Sequence, residues 1–409
     1  MFKLYYLSDL HIINGVVEIK NNIMRKKLKI RLPMNVYLFF AAVIIIFSVY
    51  LSSVSFVPEK VIYVSYLFSM PQGMVYKIGQ FRDSFISKYF IGDNSGIIQN
   101  GGSINELIGH RDFSDLTVTP EDIIKSTEKL MKDFENKKYE YDGDIVERTF
   151  TDNQATDSYM NVHVRNVTAD SEIDIESILN AGCTLPVDDC SEPVVLIYHT
   201  HSTESYMFSD NGKFSSDYPT RNDDRKVNMI RVGDEITAVL ESKGIGVIHD
   251  RSIYDKTYTG AYDTSRAGIE KILEKYPTIV ITLDIHRDAI YYDDYTRVKP
   301  TAIADGKKAS QMMIITGAQG GNVTSFPDWE TNLSFALNLQ NALNTEYENL
   351  MKPVYFCNRK YNMDITPYSL LIEVGTDVNT LEESAYSGRL LGSVLADYIK
   401  NNMAVDENE

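Results

Sequence analysis

From residue 192 to residue 402 the chain alternates between short apolar runs and longer amphipathic segments, and nothing else in it restricts the fold as much. "PVVLIYHT", "IGVIHD", "TIVITLDIH", "SQMMIITG" and "YSLLIEVG" carry the near-continuous apolar character of strands buried on both faces. Between and after them, "NMIRVGDEITAVLESKG", "SRAGIEKILEKYP", "WETNLSFALNLQNALNTEY" and "EESAYSGRLLGSVLADYIKNN" have helical spacing. Strands alternating with helices of this length predict an α/β fold, a mostly parallel twisted sheet with helices on both faces, over residues 191–402.

Upstream, residues 36–57 contain no charged side chain. As a helix this run would reach ~33 Å, enough for a hydrocarbon core of about 30 Å. "RKKLKIR" precedes it and "PEK" follows, which predicts a single transmembrane helix over residues 34–57 with a cytoplasmic tail, 1–33, and everything later outside. A cleaved signal peptide is the competing reading, with Ser53-Val54-Ser55 as the small-x-small site. The long tail and long apolar run favour a retained anchor.

Residues 58–190 read as an outer spacer with limited structure of its own. Within it, "TPEDIIKSTEKLMKDFENKKYEY" has the pattern of a helix with Thr119 as N-cap and Pro120 in the first helical position. "MNVHVRNVTADSEIDIESILN" suggests a strand, a turn and a short element. Cys183 and Cys190 are close enough in sequence to close a small disulfide loop outside the cell, and the thiols read as non-catalytic. The net charge is −17, and because residues 1–33 hold seven Lys/Arg against two Asp/Glu, the part beyond the span stands at −22. Such an exterior disfavours nucleic acid and anionic lipid, and binding to an anionic wall polymer would need a shaped, hydrogen-bonding groove.

In sheets of this kind ligands gather beyond the carboxyl ends of the strands. His199 and His201 end the first strand, Asp284 and His286 the third, and Glu373 lies at the end of "YSLLIEV". Strand alternation puts His199 and His201 on one face, and Asp284 and His286 on one face. Catalytic zinc takes three N or O ligands and leaves a position open. His201 and Glu204, in an H-x-x-E spacing, with His286 supply such a set, and no H-E-x-x-H helix is present. A lone histidine is more often structural than ligating, which is how His11, His110, His163 and His249 are read. Glu373, in apolar surroundings, is either paired to a cation or a general base whose pKa desolvation raises. His199 or Asp284 could orient a ligand from behind, and Arg287 could bind a substrate carboxylate, stabilise an oxyanion or pair with Asp288. Asn379 and Glu382 read as caps of the last helix.

"VLIYHTHSTESY", "KVNMIRVGDEI", "DIHRDA", "PDWETNLSFALNLQ" and "YSLLIEVGTDVNTLEES" together resemble the signature blocks of the stage II sporulation protein P family, membrane-anchored cell-wall hydrolases of endospore formers. That family is similar to the zinc-dependent N-acetylmuramoyl-L-alanine amidases, whose carboxyl-terminal glutamate corresponds to Glu373 and whose later histidine corresponds to His286. Their first histidine maps onto His201, with His199 as competitor, and Glu204 stands in for a glutamate those amidases draw from the next helix. The resemblance implies a Zn2+ cofactor, a peptidoglycan substrate cut between N-acetylmuramic acid and the stem peptide, and endopeptidase activity on cross-links. It also implies action in engulfment at the mother-cell membrane, facing the intermembrane space, beside stage II sporulation proteins D and M. The alternatives are an H-x-x-E zinc peptidase trimming stem peptides and a non-catalytic wall-binding scaffold.

Overall fold

The computed structural model describes residues 10–13, 16–19, 104–108, 111–168 and 171–404. The expected span at 34–57 and the side chains of His11 and His110 lie outside the described residues. Among the described residues no helix is long and apolar enough to cross a membrane. The chain divides into two units, 1–94 and 95–409. In the first, β1 (Leu10–Ile13) and β2 (Val16–Ile19) pair antiparallel.

The second unit begins with α1 (Ile104–Ile108), α2 (Glu121–Lys137), β3 (Gly143–Arg148), β4 (Asp157–Tyr159), β5 (Val162–Asn166) and α3 (Ile175–Ala181). It continues through β6 (Pro193–Tyr198), β7 (Lys213–Phe214), α4 (Met229–Ser242), β8 (Gly246–His249), α5 (Ala261–Lys275) and β9 (Ile281–Asp288). Then come β10 (Tyr291–Asp293), β11 (Thr296–Ala304), β12 (Lys307–Ser310) and β13 (Met312–Gly317). The last elements are α6 (Trp329–Glu346), β14 (Val354–Cys357), β15 (Ser369–Thr376) and α7 (Leu381–Asn401).

The main sheet has the order β4-β5-β14-β13-β15-β9-β6-β8 and is mixed, where the alternation predicted a mostly parallel one. The connections explain the difference. Where a helix crosses over, as α4 between β6 and β8, α5 between β8 and β9 and α6 between β13 and β14, the strands run parallel. Two residues join β4 to β5, so they form an antiparallel hairpin. No helix separates β9 from β13; the chain passes instead through β10, β11 and β12 and re-enters antiparallel to β15. Those inserted strands form a second sheet with β3 and β7, in which β3 pairs parallel with β11.

Residues 143–166, expected to be part of a spacer, therefore supply strands to both sheets. Helix α2 is also tied in. Asp122 contacts Arg111 and Arg231, and both arginines, with Arg389, converge on buried Glu235. Pro120 sits at the N-cap of α2 without a side-chain cap bond, one position before its expected place. The last helix is capped by a Thr380–Glu383 capping box rather than by Asn379 and Glu382. Cys183, Cys190 and Cys357 are free, so the disulfide loop is not formed.

The alternating phase of the strands decides where chemistry can sit. Val195, Ile197, Leu283, Ile285, Ile372 and Val374 face one large core with α4, α6 and α7. Leu196 and Tyr198 face the other way, against Ile269 and Ile272 of α5. In parallel register Tyr198 pairs with Asp284 and His286 with Glu373, which puts Asp284, His286 and Glu373 on the α5 face.

Candidate functional site

At the carboxyl rim of that face His201, Glu204 and His286 come together. The His201 and His286 rings meet edge to face with centroids 5.3 Å apart, and Glu204 Oε2 lies 3.6 Å from His286 Nδ1. All three are buried. Glu204 accepts from the Arg221 guanidinium and from the Arg287 backbone N–H, both at 3.3 Å. Burial alone would push its carboxyl up, but the imidazole of His286, Arg287 and His201 outweigh it and hold the pKa at about 2. Burial favours neutral imidazole at His286 as well, yet Asp284 and Glu204 raise its pKa well above the ordinary value. His201, chiefly through desolvation and the neighbouring His286, is lowered.

Asp284 braces the group from beneath. It is fully buried, accepts from the Thr200 N–H at 2.8 Å and the Thr200 hydroxyl at 2.7 Å, and lies 2.8 Å from His286 Nε2. One carboxylate thus fixes both the turn that carries His201 and the ring of His286. Glu373 is the neighbour of His286 across the β9–β15 ladder, and its Oε2 is buried without a hydrogen-bond partner. Desolvation, with Asp288 and Glu204 nearby, pushes its pKa up to about 8 against the opposing pull of His286 and Lys352. Among the described residues no cation forms an ion pair with it. Gly375, two residues on, has φ 68°, and a Cβ there would lie 2.8 Å from both Asn379 Oδ1 and Ser310 Cβ, so the bulge after Glu373 requires glycine.

His199 does not join the cluster. Strand β6 ends at Tyr198, so alternation no longer governs His201, which the turn carries to the α5 side, whereas His199 continues the phase of Val195 and Ile197 toward α4. Its Nδ1 lies 3.0 Å from the Ile285 carbonyl and its Nε2 2.9 Å from His249 Nε2, which leaves neither nitrogen free. The expectation that His199 and His201 share a face fails for this reason. Arg287 makes no side-chain bond to Asp288; its guanidinium donates to the carbonyls of Thr220 at 3.0 Å and Asp288 at 3.4 Å. The Asp288 carboxylate pairs with Lys352 at 3.0 Å.

Three participants escaped sequence reasoning. Tyr258 is exposed and stacks face to face on His201, ring centroids 4.6 Å apart. Arg221 lies 5.2 Å from the Tyr258 ring centre and pairs with both Glu204 and buried Asp255. Asp255 in turn accepts from the Thr203 N–H at 3.1 Å and the Thr203 hydroxyl at 2.7 Å, fixing the H-x-x-E turn. They sit in loops without strand or helix periodicity, in "DKTYTG" and "PTRNDD", so no pattern marked them.

The donor set suits a zinc ion. Two imidazoles and a carboxylate are the N, N, O ligands such an ion takes with a position left open, and His201 Nδ1 is buried without a hydrogen-bond partner. As placed, no group of three or more His, Cys, Asp or Glu side chains among the described residues is arranged to hold a metal ion.

The buried imidazoles and carboxylates meet at the carboxyl rim of the sheet, where ligands of such α/β folds gather. This chain belongs to the stage II sporulation protein P family, whose model matches residues 108–396. It is 32% identical over 202 residues to stage II sporulation protein P of Bacillus subtilis (strain 168), a match covering 46% of this chain and 47% of that protein. The chain thus spans about half the length of that relative. Among solved structures, N-acetylmuramoyl-L-alanine amidase AmiC2 of Nostoc punctiforme aligns with 52% of this chain and 98% of its own, at 13% identity and TM-score 0.31. The CwlD amidase of Clostridioides difficile, solved in complex with the GerS lipoprotein, aligns with 51% of this chain and 99% of its own, at 15% identity and TM-score 0.30. Likenesses at that level carry no argument about this chain.

Proposed function

We propose that this chain is a zinc-dependent peptidoglycan hydrolase that cuts the amide between N-acetylmuramic acid and the stem peptide, with cross-link endopeptidase activity at the same site. The observation that carries the reading is the placement of His201, Glu204 and His286 at one rim, with unpaired Glu373 beside His286. His201, Glu204 and His286 would hold the ion, which when bound polarises the scissile carbonyl and acidifies water. Glu373 supplies the proton traffic: Oε2 takes a proton from the attacking water and returns it to the departing amine. A carboxyl poised near neutrality is suited to both steps. Asp284 keeps the His286 ring in place, and Arg221 and Asp255 keep the Glu204 turn closed.

Membership in the family extends the proposal to sporulation. Retention at the mother-cell membrane by residues 34–57, action during engulfment and work beside stage II sporulation proteins D and M complete the reading. The purified full chain, incubated with peptidoglycan, should release free stem peptides and leave muramic acid with a free lactyl carboxylate. Release that continues undiminished after exhaustive chelation would end the zinc reading. Trimmed muropeptides without free stems would favour the peptidase alternative.

A further inference from the structure

On the α5 side the imidazoles are bordered by tyrosines that the chemistry above does not use. Tyr258 is 67% exposed, and its ring lies parallel to that of His201 with centroids 4.6 Å apart. Tyr262, in the first turn of α5, meets His201 edge to face at 5.6 Å and stacks with His286 at 6.4 Å. Tyr361 continues the row, 5.5 Å from Tyr262, and both of these rings are half-buried. The three tyrosines therefore run along one side of both imidazoles, from solvent inward.

The loop between β8 and α5 fixes the outer ring, because buried Asp255, three residues before Tyr258, is bonded to Thr203 of the H-x-x-E turn. One face of Tyr258 is spent on His201, and an exposure of two thirds leaves the rest of the ring open. The charges around it decide what the open ring can take. Arg221 lies 5.2 Å from the ring centre but is paired with both Glu204 and Asp255. With Lys256 and Asp263 added, this edge sets two cations against three carboxylates, so a carboxylate-bearing peptide finds no positive excess there. Across the site on β9, the Arg287 guanidinium has carbonyls rather than carboxylates as its hydrogen-bond partners, and its charge suits the carboxylates of a stem peptide. An uncharged pyranose fits the Tyr258 edge, since its weakly positive C–H groups lie flat on the negative face of an aromatic ring.

We propose that Tyr258, with Tyr262 beside it, is the sugar subsite: the open ring seats the N-acetylated pyranose on the glycan side of the scissile amide, and the stem peptide extends toward Arg287. The choice of ligand rests on the proposed function; sugar binding at Tyr258 needs no cleavage to be seen.

The test compares the full wild-type chain with Tyr258→Ala, which removes the ring, and Tyr258→Phe, which keeps it. Two probes are titrated by ligand-observed NMR: the β-1,4-linked N-acetylglucosamine tetramer, an uncharged stand-in for the glycan strand, and a free stem peptide. The tetramer should bind wild type, bind Tyr258→Ala ~2–10-fold more weakly and recover most of its affinity in Tyr258→Phe. The stem peptide should bind all three chains alike. Equal tetramer affinity in wild type and Tyr258→Ala overturns the proposal, as does a wild type that does not bind the tetramer. Parallel loss of both probes also overturns it, because Tyr258 would then only prop up the site. Wild-type hydrolysis with a tetramer affinity indifferent to Tyr258 removes the sugar subsite and leaves the hydrolase reading standing. Tetramer binding that depends on Tyr258, in a chain that cleaves nothing, does the reverse.

Discussion

His199 and His201 are separated by one residue, yet they belong to opposite sides of the sheet and to different kinds of environment. On the α5 side, His201 has a buried Nδ1 without a partner, beside an unpaired glutamate oxygen and an exposed tyrosine. On the α4 side both nitrogens of His199 are matched, and the chain behind it is packed to the point where one helix position must be glycine. Unsatisfied polar atoms are costly in a core, and His201 Nδ1 and Glu373 Oε2 are two of them side by side.

This contrast can be broken most directly at His286. His286→Ala should lose bound zinc and hydrolysis together, measured by metal content and release of stem peptide; full zinc occupancy in that variant would refute the ligand role. Glu373→Gln should keep zinc and lose ~10²–10⁴-fold in turnover, the range expected for a positioned acid–base group. Normal turnover would show that another group moves the proton. Gly233→Ala works on the other face: a Cβ there crowds His199 and His249, which should lower stability by about 1–3 kcal/mol in denaturant unfolding. An unchanged midpoint would mean the helix shifts freely.

The smallest effect sharpens the contrast through pH. Glu373 has its pKa raised from 4.5 to about 8, so the folded chain keeps a proton that the unfolded chain releases. The stability this gives is complete below about 4.5 and is lost as pH rises to about 8. His286, also raised, adds a loss of the same sign as pH rises through its folded value. His199 and His201, both lowered, act with the opposite sign in the acid part of this window. The test is therefore the difference: Glu373→Gln should remove part of the fall in melting temperature of the metal-free chain toward pH 8. An identical slope in the variant would place the titration elsewhere.

Much of the strand and helix pattern after residue 190 was legible because the central strands β6, β9 and β15 are buried on both faces and read as apolar runs. The direction of the strands was not, since the hydrophobic pattern of "MMIITG" is the same whichever way it enters the sheet; the connection decides. Strand β11 was missed because Pro300 and the charged Lys299 argue against a strand, and only the fold reveals that Lys299 is buried against Glu147, Asp210 and Glu383. At the site, His201, Glu204 and His286 could be picked by residue type and strand-end position. The separation of His199 from His201 could not, because it depends on the strand stopping one residue before the first histidine. Tyr258, Arg221 and Asp255 reach the site through loops whose paths only the folded chain defines.

The parallel pairing of β3 with β11 and of β5 with β14 bears on how this protein can be handled in pieces. A fragment trimmed to start near residue 191 would strip β11 and β14 of these neighbours and bare two rows of backbone donors and acceptors. Open edges of that kind recruit other chains, so such a fragment should self-associate where a longer one stays dispersed.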